Sequence, residues 1–318
     1  MKLNPFPGYE DHVKAGFIDF NPNVTDEDRA WLRGKQKEWL FTYELPEGMT
    51  REDMQINGPD EGQKLTLRVY RPAGLPDNSP VILEVHGGGF VGGSLDIDDR
   101  RCIFFAQHTP CVVIGVDYRR ASKDVHYPKP LEDVLHAWKY VQEHAAELQV
   151  DPKRMAMHGT SAGANLIAGA SLYLRDHGLP MPALTVLNCP PLYDFNLPSA
   201  DQLGFGPGVD NLGYTEKVDH IYYDVRDGRN PSYYAFPLYC QNLQGLNPHY
   251  IVVAEYDPLR DHGLQYANRL LKAGVPCELV LAGRVDHGFC VVDAPYTAYV
   301  QQGCVFALQR EFDMLGGQ

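Results

Sequence analysis

The chain has 318 residues, 44% of them hydrophobic and 22% charged, ordinary proportions for a globular protein that can bury a sizeable core. A formal net charge of -13 argues against nucleic acid or an anionic membrane surface as the main partner. No run of about 18 uninterrupted apolar residues exists, so stable membrane insertion is not expected.

The opening Met-Lys-Leu-Asn-Pro-Phe-Pro-Gly lacks the apolar stretch of a secretory signal. The seven cysteines (Cys102, Cys111, Cys189, Cys240, Cys277, Cys290 and Cys304) are scattered and include no C-x-x-C pair. Free thiols in a reducing cytoplasm are the simplest reading. Asn23-Val24-Thr25 matches the glycosylation pattern, which without a secretory route is read as chance.

The first 45 residues are polar and punctuated by Pro5, Pro7 and Pro22. Asp26 to Phe41 reads as a helix with Thr25 as N-cap and Trp31, Leu32, Trp39 and Leu40 as apolar anchors, a segment suited to a flap. Leu65 to Arg71 alternates as a half-buried strand does. Val81 to Val85 and Cys111 to Val116 are short apolar runs of the kind found in strands buried on both faces. Further strands are expected at Met155 to His158, Leu184 to Asn188, Tyr250 to Glu255 and Cys277 to Leu281. Helices are expected at Arg100 to Gln107, Leu131 to His144, Ala162 to Asp176, His262 to Ala273 and Ala298 to Phe312. Strands alternating with helices imply βαβ units and a mainly parallel sheet, hence an α/β fold. From 192 to 246 the rhythm breaks into a Gly-, Pro- and Tyr-rich stretch with one helix near Tyr214 to Tyr223, read as a lid beside a site. The expected division is an N-terminal cap segment (1–45), a catalytic domain (46–191 and 247–318) and a cap or lid insertion (192–246).

Gly159-Thr160-Ser161-Ala162-Gly163 is a G-x-S-x-G motif at a strand-to-helix corner, the context in which such a serine is exposed as a nucleophile. The two glycines remove side chains that would collide at the tight turn, and the helix N-terminus favours developing negative charge. His86-Gly87-Gly88-Gly89-Phe90 directly follows the buried strand Val81 to Val85. Acyl transfer passes through an oxyanion that needs fixed N–H donors, here assigned to Gly87, Gly88 and Ala162. A phosphate-cradling loop is the rival reading, but the segment lacks the Lys-Ser/Thr ending of a P-loop and the dinucleotide spacing. His86 is read as ordering the loop.

A nucleophilic serine needs a base, and the base an orienting acid, in the chain order Ser, Asp or Glu, His. His287, just after the last strand, is the expected base, and Asp257, held outward by Pro258, the expected acid. Asp261 reads instead as a cap or first-turn residue of the next helix. Asp286 adjoins His287 too closely to bond its ring, and Glu255 lies within its strand. Asp96, Asp98 and Asp99 resemble a metal-binding run but are read as opening a helix. No H-E-x-x-H motif or paired histidine spacing points to a metal. Phe90, Tyr193 and Phe289 are expected to contact substrate.

These motifs together resemble the hormone-sensitive-lipase-like (bacterial family IV) carboxylesterases of the α/β-hydrolase superfamily. The resemblance rests on His86 to Phe90 with Gly93-Ser94, Asp117-Tyr118-Arg119, Pro128 to Val134, the Ser161 motif, Asp257 to Asp261, and His287-Gly288-Phe289. It implies a mostly parallel eight-stranded sheet flanked by helices, a helical cap from the N-terminus and an insertion after strand six. It also implies hydrolysis of short to medium acyl esters without a cofactor, in a family where homodimers are common. Three positions depart from the usual pattern: Thr160 where an acidic residue is frequent, Ala164 where glycine is, and the segment Arg120 to His126. An amide, lactone or carbamate would serve the same chemistry, and a non-catalytic receptor on this fold is the alternative from another class.

Overall fold

The computed structural model describes residues 3–19, 25–39, 43–204, 222–223 and 232–316. Eight strands form one sheet in the order β1-β2-β4-β3-β5-β6-β7-β8. In chain order the elements are α1 (Glu10–Asp19), α2 (Asp26–Trp39), β1 (Met49–Asn57), β2 (Lys64–Pro72), β3 (Ser79–Val85), α3 (Leu95–His108), β4 (Val112–Val116) and α4 (Lys129–Glu143). They continue with β5 (Val150–Thr160), α5 (Ala162–Asp176), β6 (Thr185–Asn188), α6 (Pro198–Gln202), β7 (His249–Ala254), α7 (Arg260–Lys272), β8 (Cys277–Ala282) and α8 (Pro295–Gly316). Only β2 runs against its neighbours β1 and β4; all pairs from β4 to β8 are parallel.

The apolar runs form central strands because both faces are covered. In β3 the alternate residues Val81, Leu83 and Val85 join the core that holds α4 and α5, while Ile82 joins the core that holds α3 and α8. Parallel strands need such crossover helices, which is why the strand runs read as continuously apolar. Every expected strand and helix within the described residues is present, with ends shifted by a few positions.

Three elements were not expected: β1, α1 and the five-residue α6. Strand β1 buries only Met49 and Ile56, being an edge strand held by its nine-residue ladder to β2. Helix α1 buries Val13, Ala15 and Ile18. Residues before it dock on the C-terminal helix, where the Tyr9 hydroxyl is 2.6 Å from Thr297 Oγ1 and Phe6 stacks on Tyr296. Thr25 caps α2 as expected: its Oγ1 accepts from Asp28 N (3.1 Å) and donates to Asp28 Oδ2 (2.7 Å), a capping box with aspartate. The helix expected near Tyr214 to Tyr223 lies outside the described residues, apart from Tyr222 and Tyr223. Asn165 Nδ2 of α5 donates to the carbonyls of Pro191, just before the 192–246 stretch, and of Ala235 within it.

Candidate active site

Four loops at the C-terminal ends of β3, β5, β7 and β8 converge. At the end of β5 the chain turns through Ser161, whose φ of 52° and ψ of −122° lie outside the usual regions for a side-chain-bearing residue. The turn survives because its flanks are glycine: a Cβ at Gly163 would collide with the Val85 carbonyl, and one at Gly159 with the Gly163 backbone. The Ser161 N–H donates to the Asn188 carbonyl at 2.8 Å, fastening the turn to β6.

On the loop after β7, Asp257 is fully buried, and its Oδ1 accepts from the Leu259 N–H at 2.8 Å. Its Oδ2 is 2.8 Å from Nδ1 of His287, on the loop after β8. Because the carboxylate accepts, Nδ1 carries the proton and Nε2 is the basic nitrogen. That Nε2 lies 2.9 Å from Ser161 Oγ. Residues from three separate loops thus form one hydrogen-bonded chain.

The loop after β3 passes beside Ser161. A Cβ on Gly87 would lie 3.2 Å from the Ser161 Cβ, so the two backbones are in close approach. Gly88 has a φ of +129°, accessible in practice to glycine. Neither the Gly87 nor the Gly88 N–H bonds a backbone carbonyl among the described residues. Ala162 is the first residue of α5, where an N–H has no acceptor within the helix. Burial pushes the His86 imidazole down to about 4, so it is neutral, and its Nδ1 donates to the Gly87 carbonyl at 2.8 Å. Carbonyl and N–H point opposite ways in a trans peptide, so holding the Gly87 carbonyl on His86 turns the Gly88 N–H away from that ring. The imidazole is itself stacked on Tyr118, with centroids 4.2 Å apart.

The rival acids are engaged elsewhere. Asp261 sits in the first turn of α7 and accepts from the Ser199 N–H at 2.9 Å. Glu255 accepts from the Arg284 N–H at 2.7 Å. Asp286 is buried against Gly16 of α1, and burial raises its carboxyl to about 7. Asp96 and Asp99 pair with Arg68, and Asp98 with Arg101, inside α3 rather than ahead of it.

Two substrate-contact expectations need correction. Phe90 has no exposed surface; its ring stacks on Tyr222 at 3.8 Å. Phe289 is 1% exposed and belongs to the core beneath α8. Both fill the protein rather than face a ligand. Tyr193 keeps a partly exposed face within an aromatic group that includes Tyr239 and the 59% exposed Phe195.

One neighbour went unnoticed in the sequence. Cys189, directly after β6, places its Sγ within 4.8 Å of ligating atoms of Asp257 and His287, the one potential metal grouping among the described residues. Burial raises this thiol well above its ordinary range, leaving it protonated, and both His287 nitrogens are already engaged. A thiol and an occupied imidazole are a poor ligand set for a metal.

A family model described as the alpha/beta hydrolase fold matches residues 82–291. The chain belongs to the alpha/beta-hydrolase family. The esterase LipI of Mycobacterium tuberculosis is 37% identical over 240 residues, covering 74% of each chain. The ethyl acetate hydrolase of Pseudomonas putida is 32% identical over 303 residues, covering 91% of this chain and 92% of its own. The solved structure of a bacterial heroin esterase has a TM-score of 0.80 at 29% identity, covering 95% of this chain and 98% of that one. This alpha/beta hydrolase is therefore a carboxylic ester hydrolase of the hormone-sensitive-lipase-like kind, acting on small-molecule esters. No described helix is long and apolar enough to cross a membrane.

Proposed function

We propose that Ser161 is the nucleophile of a serine esterase that works through an acyl-enzyme. The carrying observation is the unbroken chain from Asp257 Oδ2 to His287 Nδ1 (2.8 Å) and from His287 Nε2 to Ser161 Oγ (2.9 Å). Ser161 Oγ attacks the ester carbonyl while His287 Nε2 takes its proton, and the imidazolium is steadied by Asp257. Negative charge collects on the former carbonyl oxygen, where the N–H groups of Gly87, Gly88 and Ala162 receive it. The C–O bond then breaks as His287 returns the proton to the leaving alkoxide. Water, deprotonated by the same imidazole, releases the acid and restores the serine.

The acyl group in this reading is short to medium, in keeping with the relative named for ethyl acetate. Segments 1–45 and 192–246 form the cap, and Tyr193 lines the acyl side. The reading extends to a reducing cytoplasm, supported by seven free cysteines, and to a homodimer, which sedimentation would test. Ser161→Ala is expected to abolish the burst and turnover of p-nitrophenyl acetate; a variant with full activity would sink the assignment. Rates across p-nitrophenyl esters of rising chain length are expected to peak at short acyl groups.

A further inference from the structure

Beneath the site lies a second cluster of ionisable groups that the proposed mechanism does not use. Glu84, Asp98, Arg101 and His158 are each no more than 3% exposed. Arg101 of α3 donates from Nε (3.1 Å) and Nη2 (2.9 Å) to Glu84 Oε1. His158 Nδ1 lies 2.7 Å from Glu84 Oε2, a close polar contact whose alignment falls short of a hydrogen bond. Arg101 Nη2 also meets Asp98 Oδ1 at 2.5 Å.

The position of this cluster is informative. Glu84 and His158 are register partners in the parallel β3–β5 pair, and Val85 and Gly159 are the next. Beyond that rung, β3 runs into His86-Gly87-Gly88 and β5 into Thr160-Ser161. Glu84 is the one charged residue of β3 and is buried, where leaving a charge uncompensated is costly. Arg101 answers that charge and ties the strand end to α3.

We infer that Glu84 and His158, with Arg101, are positioning residues that fix the spacing between the N–H donors after β3 and the Ser161 hydroxyl after β5. This rests on the roles proposed above for Ser161 and the glycines. Oxyanion stabilisation depends on donor placement to within fractions of an ångström, so a small slip of one strand end costs rate without costing substrate affinity.

The test uses Glu84→Gln and the milder His158→Gln, which leaves the Arg101 fork intact. Active sites are counted by the burst with diethyl p-nitrophenyl phosphate. Then kcat and KM for p-nitrophenyl acetate, and the affinity of a trifluoromethyl ketone, are measured across pH. The expected result is a fall in kcat per titrated site of about tenfold, with KM within about twofold. Ketone affinity should weaken in proportion, and the acid limb of the pH profile should stay in place. Unchanged kcat and ketone affinity, even with a lower unfolding temperature, would overturn the inference; so would a loss confined to KM or explained by a moved acid limb. If Glu84→Gln does not fold, His158→Gln decides by the same readings. A wild-type enzyme that gives no burst with the phosphate fails the nucleophile reading instead, before any variant is considered.

Discussion

Among the described residues, two carboxylate–imidazole pairs lie on adjoining parts of one sheet, and their geometries differ. In one, Asp257 and His287 are aligned at 2.8 Å, and the far nitrogen of the ring faces Ser161. In the other, Glu84 and His158 are 2.7 Å apart, but the contact is misaligned and the guanidinium of Arg101 closes off the carboxylate. The His287 side chain is 15% exposed, that of His158 1%. Proximity of acid to imidazole therefore says little about chemistry. In the proposed mechanism the difference lies in the second ring nitrogen, which in His287 faces the Ser161 hydroxyl. Burial holds His158 below the ordinary histidine range despite the pull of Glu84, so it carries no positive charge at neutral pH.

The sharpest way to break this contrast is to make the same change at both histidines. His287→Gln should lower kcat by roughly 10⁶, because members of a triad act as a unit. His158→Gln should cost only about tenfold, as a slip in donor placement does. Comparable losses at the two positions, measured per folded molecule, would mean that the assignment of base and positioning residue is wrong.

Asp257→Asn should come next, at about 10⁴ in kcat with KM little changed. An amide in that place presents an N–H to the ring, forces the proton onto Nε2, and leaves no lone pair to take the Ser161 proton. Steady-state kinetics on p-nitrophenyl acetate would show it, and a loss under about tenfold would argue that Asp257 does not set the tautomer.

The aligned pair could be read in the sequence and the misaligned one could not, for a physical reason. Ser161, Asp257 and His287 each stand in a loop beside glycine or proline, and their order along the chain follows from the order of strands in a parallel sheet. Glu84 and His158 lie inside apolar runs, where a polar letter shows neither which face it takes nor what answers it. Their contact depends on β3–β5 register, and Arg101 reaches it only once α3 is packed. Strand β1 was hidden for a related reason, since an edge strand held by its ladder needs few apolar residues. Phe90 and Phe289 adjoin their motifs in sequence, but adjacency to a motif does not give exposure to its site, and both rings turn into the core. Cys189 gave no signal, because its nearness to Asp257 comes from β6 lying beside β7.

The smallest effect expected concerns the remaining acid of the buried cluster. Burial raises the Asp98 carboxyl to about 7 against the pull of Arg101, whereas in the unfolded chain it would titrate near 3.8. Between those values the unfolded chain gives up this proton while the native protein keeps it. Native stability from this group therefore falls as pH rises through that window, and the full penalty stands above about 7. Asp98→Asn removes the titration, and its stability relative to wild type should improve from pH 4 to pH 7, by at most about 4 kcal/mol. Its kcat at pH 8 should fall less than in His158→Gln, because Asp98 meets the cluster through Arg101 Nη2, and the bond from Arg101 Nε to Glu84 remains. Urea unfolding at several pH values would measure the first and p-nitrophenyl acetate turnover the second. A stability difference that does not change with pH would show that Asp98 is already ionised in the native cluster. The charges around Glu84 would then be balanced differently from those around Asp257.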